Sequence, residues 1–186
     1  MTLVGTSAPA SGGEHLLSHT LDMIADLCDE QNDLHGKQVG LGTIFSAGLY
    51  QRVLQIREPE FAQIPEDIDE SFWHKPALCR AVRQQYLAKR PQLQTMRAKI
   101  SRPAVWQELR DILSKATKSP EQIKTWLKQA GAATSIAQLR WPPKRVRAAA
   151  MHMHEIRSRC TVVDLAWLLG ILPGAVDEII DKWLMH

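Results

Sequence analysis

The chain has 186 residues, 45% hydrophobic and 23% charged with a net charge of +3, a balance that fits one globular domain and excludes disordered, collagenous and coiled-coil chains. No apolar run approaches the roughly 18 residues needed to cross a bilayer, and the start MTLVGTSAPASGG lacks the basic segment of a signal peptide, so a cytoplasmic protein without membrane contact is expected. Cys28, Cys79 and Cys160 are odd in number and have no CxxC spacing, which argues against a disulfide framework or a cysteine zinc site.

Leu17, Leu21, Ile24 and Cys28 recur at three- and four-residue steps, the helical period, and predict a helix from about Glu14 to Asp29. The run Val39, Leu41, Ile44, Phe45, Leu49, Val53, Leu54 is apolar on most of its circumference, as in a helix buried inside a bundle. Glycines 36, 40, 42 and 48 each cost such a helix roughly 1 kcal/mol in its interior, so close approach by a neighbour or a ligand is expected there. Residues 57–71, with two prolines and six acids, read as a connecting loop or a short edge helix.

Basic amphipathic helices follow over Pro76 to Lys89 and Gln92 to Ile100, with Pro91 placed as a helix start, and Pro103 opens another toward Ala116. Ser119-Pro120-x-Gln122 reads as an N-cap and Gly131 as a C-terminal cap. Helices are predicted from Pro142 or Pro143 toward Arg157, from a Thr161/Asp164 cap to Gly170, and from Pro173 to the C-terminus. No segment shows strand alternation, so the fold class is an all-α helical bundle over residues 1–186. Charge is segregated along it: residues 1–74 hold 3 Lys/Arg against 12 Asp/Glu, and residues 75–147 hold 17 against 3. That pattern is either an anion-facing surface or a solvated face balancing acidic neighbours. His74, His152, His154 and His186 read as surface residues. Trp73, Trp106, Trp126 and Trp141 read as core or groove anchors.

The residues with chemical potential lie between 5 and 43. The small-residue loop from Gly5 to Gly13 runs into a helix start, where free N–H groups and the helix dipole suit phosphate or carboxylate; a plain N-terminal tail is the alternative. His15 and His19 are four apart on one helical face, and His35 stands at the entry to the glycine-bearing helix. Two imidazoles from adjacent helices can share Zn²⁺, Ni²⁺ or Fe²⁺, and ordinary hydrogen-bonded histidines are the alternative.

The strings S-x-P-A-S-G-x-E-H-L-x-S-H (7–19), L-H-G-K-Q-V-G-L-G-T (34–43) and R-S-R-C-T-V-V-D-L-A (157–166) together resemble the sn-glycerol-1-phosphate dehydrogenases and their bacterial AraM-type relatives. These belong to the iron-containing alcohol dehydrogenase and glycerol dehydrogenase superfamily. The resemblance implies the helical C-terminal metal-binding domain of the dehydroquinate synthase-like fold. It implies His15 and His35 as two of three ligands to a divalent metal, His19 as a catalytic residue beside substrate and nicotinamide, and Ser11, Gly12 and Gly13 as substrate-binding positions. The reaction implied is reduction of dihydroxyacetone phosphate by NAD(P)H, with the metal as Lewis acid, in an enzyme that is homo-oligomeric when complete.

Two departures qualify the resemblance. Ala8 stands where many members carry an arginine. Neither a βαβ run nor a glycine-rich loop after a strand is present, so the nucleotide-binding domain and the third, aspartate ligand are expected to lie outside this chain, which alone is expected to be inactive. The competing readings are a catalytically degenerate paralogue and a non-enzymatic basic module. The latter needs Arg80, Arg83, Lys89, Arg90, Arg97, Lys99 and Arg102 on one exposed face, and no nucleic-acid motif supports it.

Overall fold

Periodicity predicts helices throughout, and the computed structural model, which describes residues 12–186, has no β-strand among them. In chain order the helices are α1 (Gly13–Leu27), α2 (His35–Gln55), α3 (Pro76–Ile100), α4 (Pro103–Ala116), α5 (Pro120–Gln129), α6 (Pro143–His152), α7 (Val162–Leu168) and α8 (Val176–Trp183), with a 3₁₀ turn at Ile136–Gln138 between α5 and α6. None of these helices is long and apolar enough to cross a membrane.

The fold is organised around α2, which packs on α1, α4, α5, α7 and α8. Leu41, Ile44, Phe45, Leu49 and Val53 are fully buried on it, each contributing roughly 1.5–3 kcal/mol. A Cβ at Gly42 would land on the Glu14 carbonyl, so α1 and α2 touch backbone to backbone there, and the glycine expected to permit a close approach does so. A Cβ at Gly48 would press on Ile179 of α8 at 2.9 Å.

Helix ends follow local chemistry where side chains cap them. The Ser119 hydroxyl accepts from the Gln122 amide at 3.3 Å, and Gly131 follows α5 with φ +69°. Asp164 accepts from the Thr161 amide at 2.8 Å and closes a capping box at the start of α7. The 3₁₀ turn, capped by Ser135 and Gln138, is too short for any periodicity to announce.

Four boundaries differ from the sequence reading. Pro91 does not divide two helices; it lies inside the continuous α3. The carbonyl it deprives of a partner belongs to Leu87, an exposed residue, and the helix runs on through a residue that normally breaks one. α1 stops at Leu27, before Asp29, whose φ of 55° is non-helical. α6 ends at His152 rather than near Arg157 because the next turn is drawn inward. There Glu155 accepts from the Trp73 indole and from the Asp69 amide at 3.3 Å. α8 begins at Val176, three residues beyond Pro173.

That inward turn overturns the surface reading of two histidines. His154 is buried, its ring 4.2 Å from that of Trp167, and His152 stacks on Phe72 at 3.7 Å. Trp126 reverses the other way: Trp73, Trp106 and Trp141 are buried, while Trp126 is exposed. Lys89 also leaves the surface. Wholly buried, it pairs with Asp164 at 2.6 Å and donates to the His154 carbonyl, since a buried ammonium must find a charge and oxygen partners.

Candidate functional site

A polar stripe runs along α1 at the helical period: His15, Ser18, His19 and Asp22. It faces His35 and Gln38, one turn apart at the start of α2. Asp33 secures that start. Its carboxylate accepts from the Leu34 amide at 2.7 Å and from the Arg140 amide at 2.6 Å, tying the entry of α2 to the segment before α6.

The three imidazoles meet. Ring centres lie 5.5 Å apart for His15 and His35, 5.6 Å for His19 and His35, and 6.1 Å for His15 and His19. Two imidazoles on one tetrahedral ion, at about 2.0–2.1 Å from nitrogen to metal, have centres roughly 5 Å apart, so the separation suits a shared cation. Among the described residues, however, no group of three His, Cys, Asp or Glu side chains closes into a complete metal site.

Each of the two motif histidines is held through Nδ1. Glu14 Oε1 lies 2.8 Å from His15 Nδ1 and also accepts from the Gly12 amide at 2.8 Å. Burial pushes the Glu14 carboxyl up, but these hydrogen bonds and the nearby His15 ring outweigh it and hold the group below its ordinary value. The carboxylate therefore accepts, and His15 carries its proton on Nδ1. His35 Nδ1 lies 2.9 Å from the Ser18 hydroxyl. In both rings Nε2 is the nitrogen these contacts leave open to a metal, and an outer-shell oxygen on the other nitrogen is the usual companion of a histidine ligand.

His19 differs. Burial first, then the positive charge of Arg157 and the two neighbouring histidines, lowers its pKa, so it stands as a neutral imidazole at pH 7. Arg157 comes from the third motif, and the same motif supplies Val162 and Val163. A Cβ on the buried Gly13 would meet these two at 3.1 and 3.2 Å, and the Ser46 hydroxyl of α2 at 2.7 Å. The first and third motifs thus meet at Gly13, whose lack of a side chain lets α1 seat between α2 and α7, and the second joins one residue on, where Gly42 meets the Glu14 backbone. Gly12 lies at the N-cap of α1, and Ser11 falls outside the described residues.

Beyond Glu14 lies a cavity of about 320 Å³ lined by Thr43, Ser46, Tyr50, Thr117 and Lys118. Burial, and then the Glu14 charge, raises the Tyr50 pKa. A larger groove of about 560 Å³ between α3 and α4 includes none of the three histidines. Of the basic residues of α3, Lys89 is buried and so leaves the exposed face, and Arg83 is engaged by Asp67 at 2.9 Å and by Glu70.

Glu14, Ser18, Asp22, Gln38 and Arg157 are the site residues that sequence reasoning missed. Helical spacing from His15, His19 and His35 would have found Ser18, Asp22 and Gln38, and Glu14 is the immediate neighbour of His15; Arg157 arrives only through the tertiary fold.

The described residues thus form an all-α bundle with a cluster of three imidazoles across a helix pair. The comparisons go further: this chain is homologous to glycerol-1-phosphate dehydrogenases. It is 31% identical over 157 residues to the glycerol-1-phosphate dehydrogenase [NAD(P)+] of Geobacillus thermodenitrificans, a stretch covering 84% of this chain and 32% of that protein. It is 54% identical over 50 residues to the Thermococcus kodakarensis enzyme of the same name, covering 27% and 13% respectively. The protein from Geobacillus stearothermophilus is 30% identical over 157 residues. The chain therefore spans no more than about a third of the length of these relatives. No family model matches it, and no solved structure does.

Proposed function

We propose that this chain is the helical, metal-binding part of a cytoplasmic NAD(P)-linked dehydrogenase that interconverts dihydroxyacetone phosphate and sn-glycerol 1-phosphate. The observation that carries this reading is the meeting of the His15, His19 and His35 rings, each from a string that resembles that family, with Nδ1 of His15 and His35 already engaged.

The donor set fits a divalent ion such as Zn²⁺, Ni²⁺ or Fe²⁺. His15 and His35 would hold it through Nε2, and at least one further ligand must come from elsewhere. When bound, such an ion supplies Lewis-acid polarisation of a ketone oxygen. The chain's own groups do the rest. Glu14 and Ser18 keep the two ligand rings oriented. His19, neutral beside them, hydrogen-bonds the substrate oxygen at which a proton is gained or lost. Arg157, close to His19, is the cation available to a substrate phosphate, a role that offsets Ala8. Gly12 lies at the helix start, its amide engaged by the Glu14 carboxylate.

The nicotinamide cofactor would be carried by a nucleotide-binding region outside the described helices. Zinc titration of the metal-free 186-residue chain by calorimetry tests the reading. One bound ion is expected, with loss of binding in both His15→Ala and His35→Ala; an unchanged isotherm in either variant would sink it. A steady-state assay of the chain with dihydroxyacetone phosphate and NADH or NADPH is expected to show no turnover at ordinary enzyme rates.

A further inference from the structure

Behind His35 lies a chain of polar groups reaching a carboxylate. The Ser18 hydroxyl, fully buried, donates to Gln38 Oε1 at 2.8 Å. It has one proton to give, so at its 2.9 Å contact with His35 Nδ1 it must accept, and the ring nitrogen must be the donor. The direction depends on how the Gln38 amide is turned, and Asp22 decides that.

Gln38 Nε2 and Asp22 Oδ1 are both buried without a hydrogen bond of standard geometry, yet they act on each other. Burial raises the Asp22 carboxyl, while the Gln38 amide and the nearby His35 draw it back. An amide nitrogen facing a carboxylate is attracted, whereas an amide oxygen there would be repelled. The flip that sends NH₂ toward Asp22 therefore sends Oε1 toward Ser18.

We propose that Ser18, backed by Gln38 and Asp22, is a positioning residue that holds metal-free His35 as the Nδ1–H tautomer and so presents the Nε2 lone pair to the ion. His15 reaches the same state by a shorter route, directly through Glu14. The two ligand rings are thus preset from positions one turn apart on α1, one by a half-buried carboxylate and one by a buried relay. The part concerning the ion rests on the metal reading above; the part concerning the proton does not.

Long-range ¹H–¹⁵N correlation spectra of the ¹⁵N-labelled, metal-free 186-residue chain, with His35 assigned from His35→Ala, show which ring nitrogen bears the proton. The expected result is Nδ1–H. In Ser18→Ala the proton redistributes toward Nε2 and zinc affinity falls about 10–100-fold, while Ser18→Thr restores both. A His35 found as Nε2–H in the unaltered chain overturns the proposal, as does Ser18→Ala with tautomer and zinc affinity both unchanged. Should Ser18→Ala not fold, the tautomer of the unaltered chain decides. Failure of that chain to bind zinc, with His35 as Nδ1–H, counts against the metal reading and leaves the relay standing.

Discussion

Asp164 serves two partners with one carboxylate: Oδ2 caps α7 at Thr161 and Oδ1 neutralises the buried Lys89. Removing it strands an ammonium in the core, so Asp164→Ala is expected to lower unfolding free energy by about 3–5 kcal/mol. The double change Asp164→Leu with Lys89→Met should recover much of that loss in urea titrations; a double variant no better than Asp164→Ala would show that the ion pair is not the cause. The cap was legible in the sequence because Thr161 and Asp164 are three residues apart. The ion pair was not, because Lys89 lies 75 positions away and reads, by period alone, as one more cation on a basic helix. The same division holds at the site. His15 and His35 stand in recognisable strings, while Arg157 reaches His19 only through packing, and His154 reads by sequence as a surface residue although its turn folds inward and buries it.

At the scale of elements, the hairpin of α1 and α2 sets the distance between the histidines, and Gly42 sets how closely those helices approach. Gly42→Ala forces the Glu14 backbone away, an overpacking expected to cost about 1–3 kcal/mol and to separate His15 from His35. Zinc affinity should therefore fall by more than in Gly36→Ala, where a Cβ meets open space; equal affinities in the two variants would contradict this. Helix identity and most capped ends were readable from period and capping residues. Ends set by tertiary demands were not: α6 stops where Trp73 claims Glu155, and α3 passes through Pro91 without a break.

Across the whole molecule, part of the charge segregation is balanced by ion pairs between segments: Lys75 with Asp29 at 2.7 Å, Arg145 with Glu30 at 2.6 Å, and Arg83 with Asp67. Exposed pairs of this kind contribute only about 0–1 kcal/mol each, so stability should depend little on salt. It should depend on pH through His154. Burial, and then the Lys89 charge, lowers its pKa to about 3 from 6.5. Between those values the unfolded chain binds a proton that the folded chain refuses, so stability is fully present above pH 6.5 and falls as pH drops, by about 2 kcal/mol at pH 5. Denaturation at pH 7 and pH 5 should show the fall in the unaltered chain and a smaller one in His154→Gln; identical falls would remove His154 as its source. The central claim is that His15 and His35 share one ion, and X-ray absorption of the zinc-loaded chain tests it most directly. The account predicts at least two imidazole nitrogens at about 2.0–2.1 Å, with one fewer in His35→Ala. A zinc shell without imidazole scattering, or one unchanged in that variant, would contradict it.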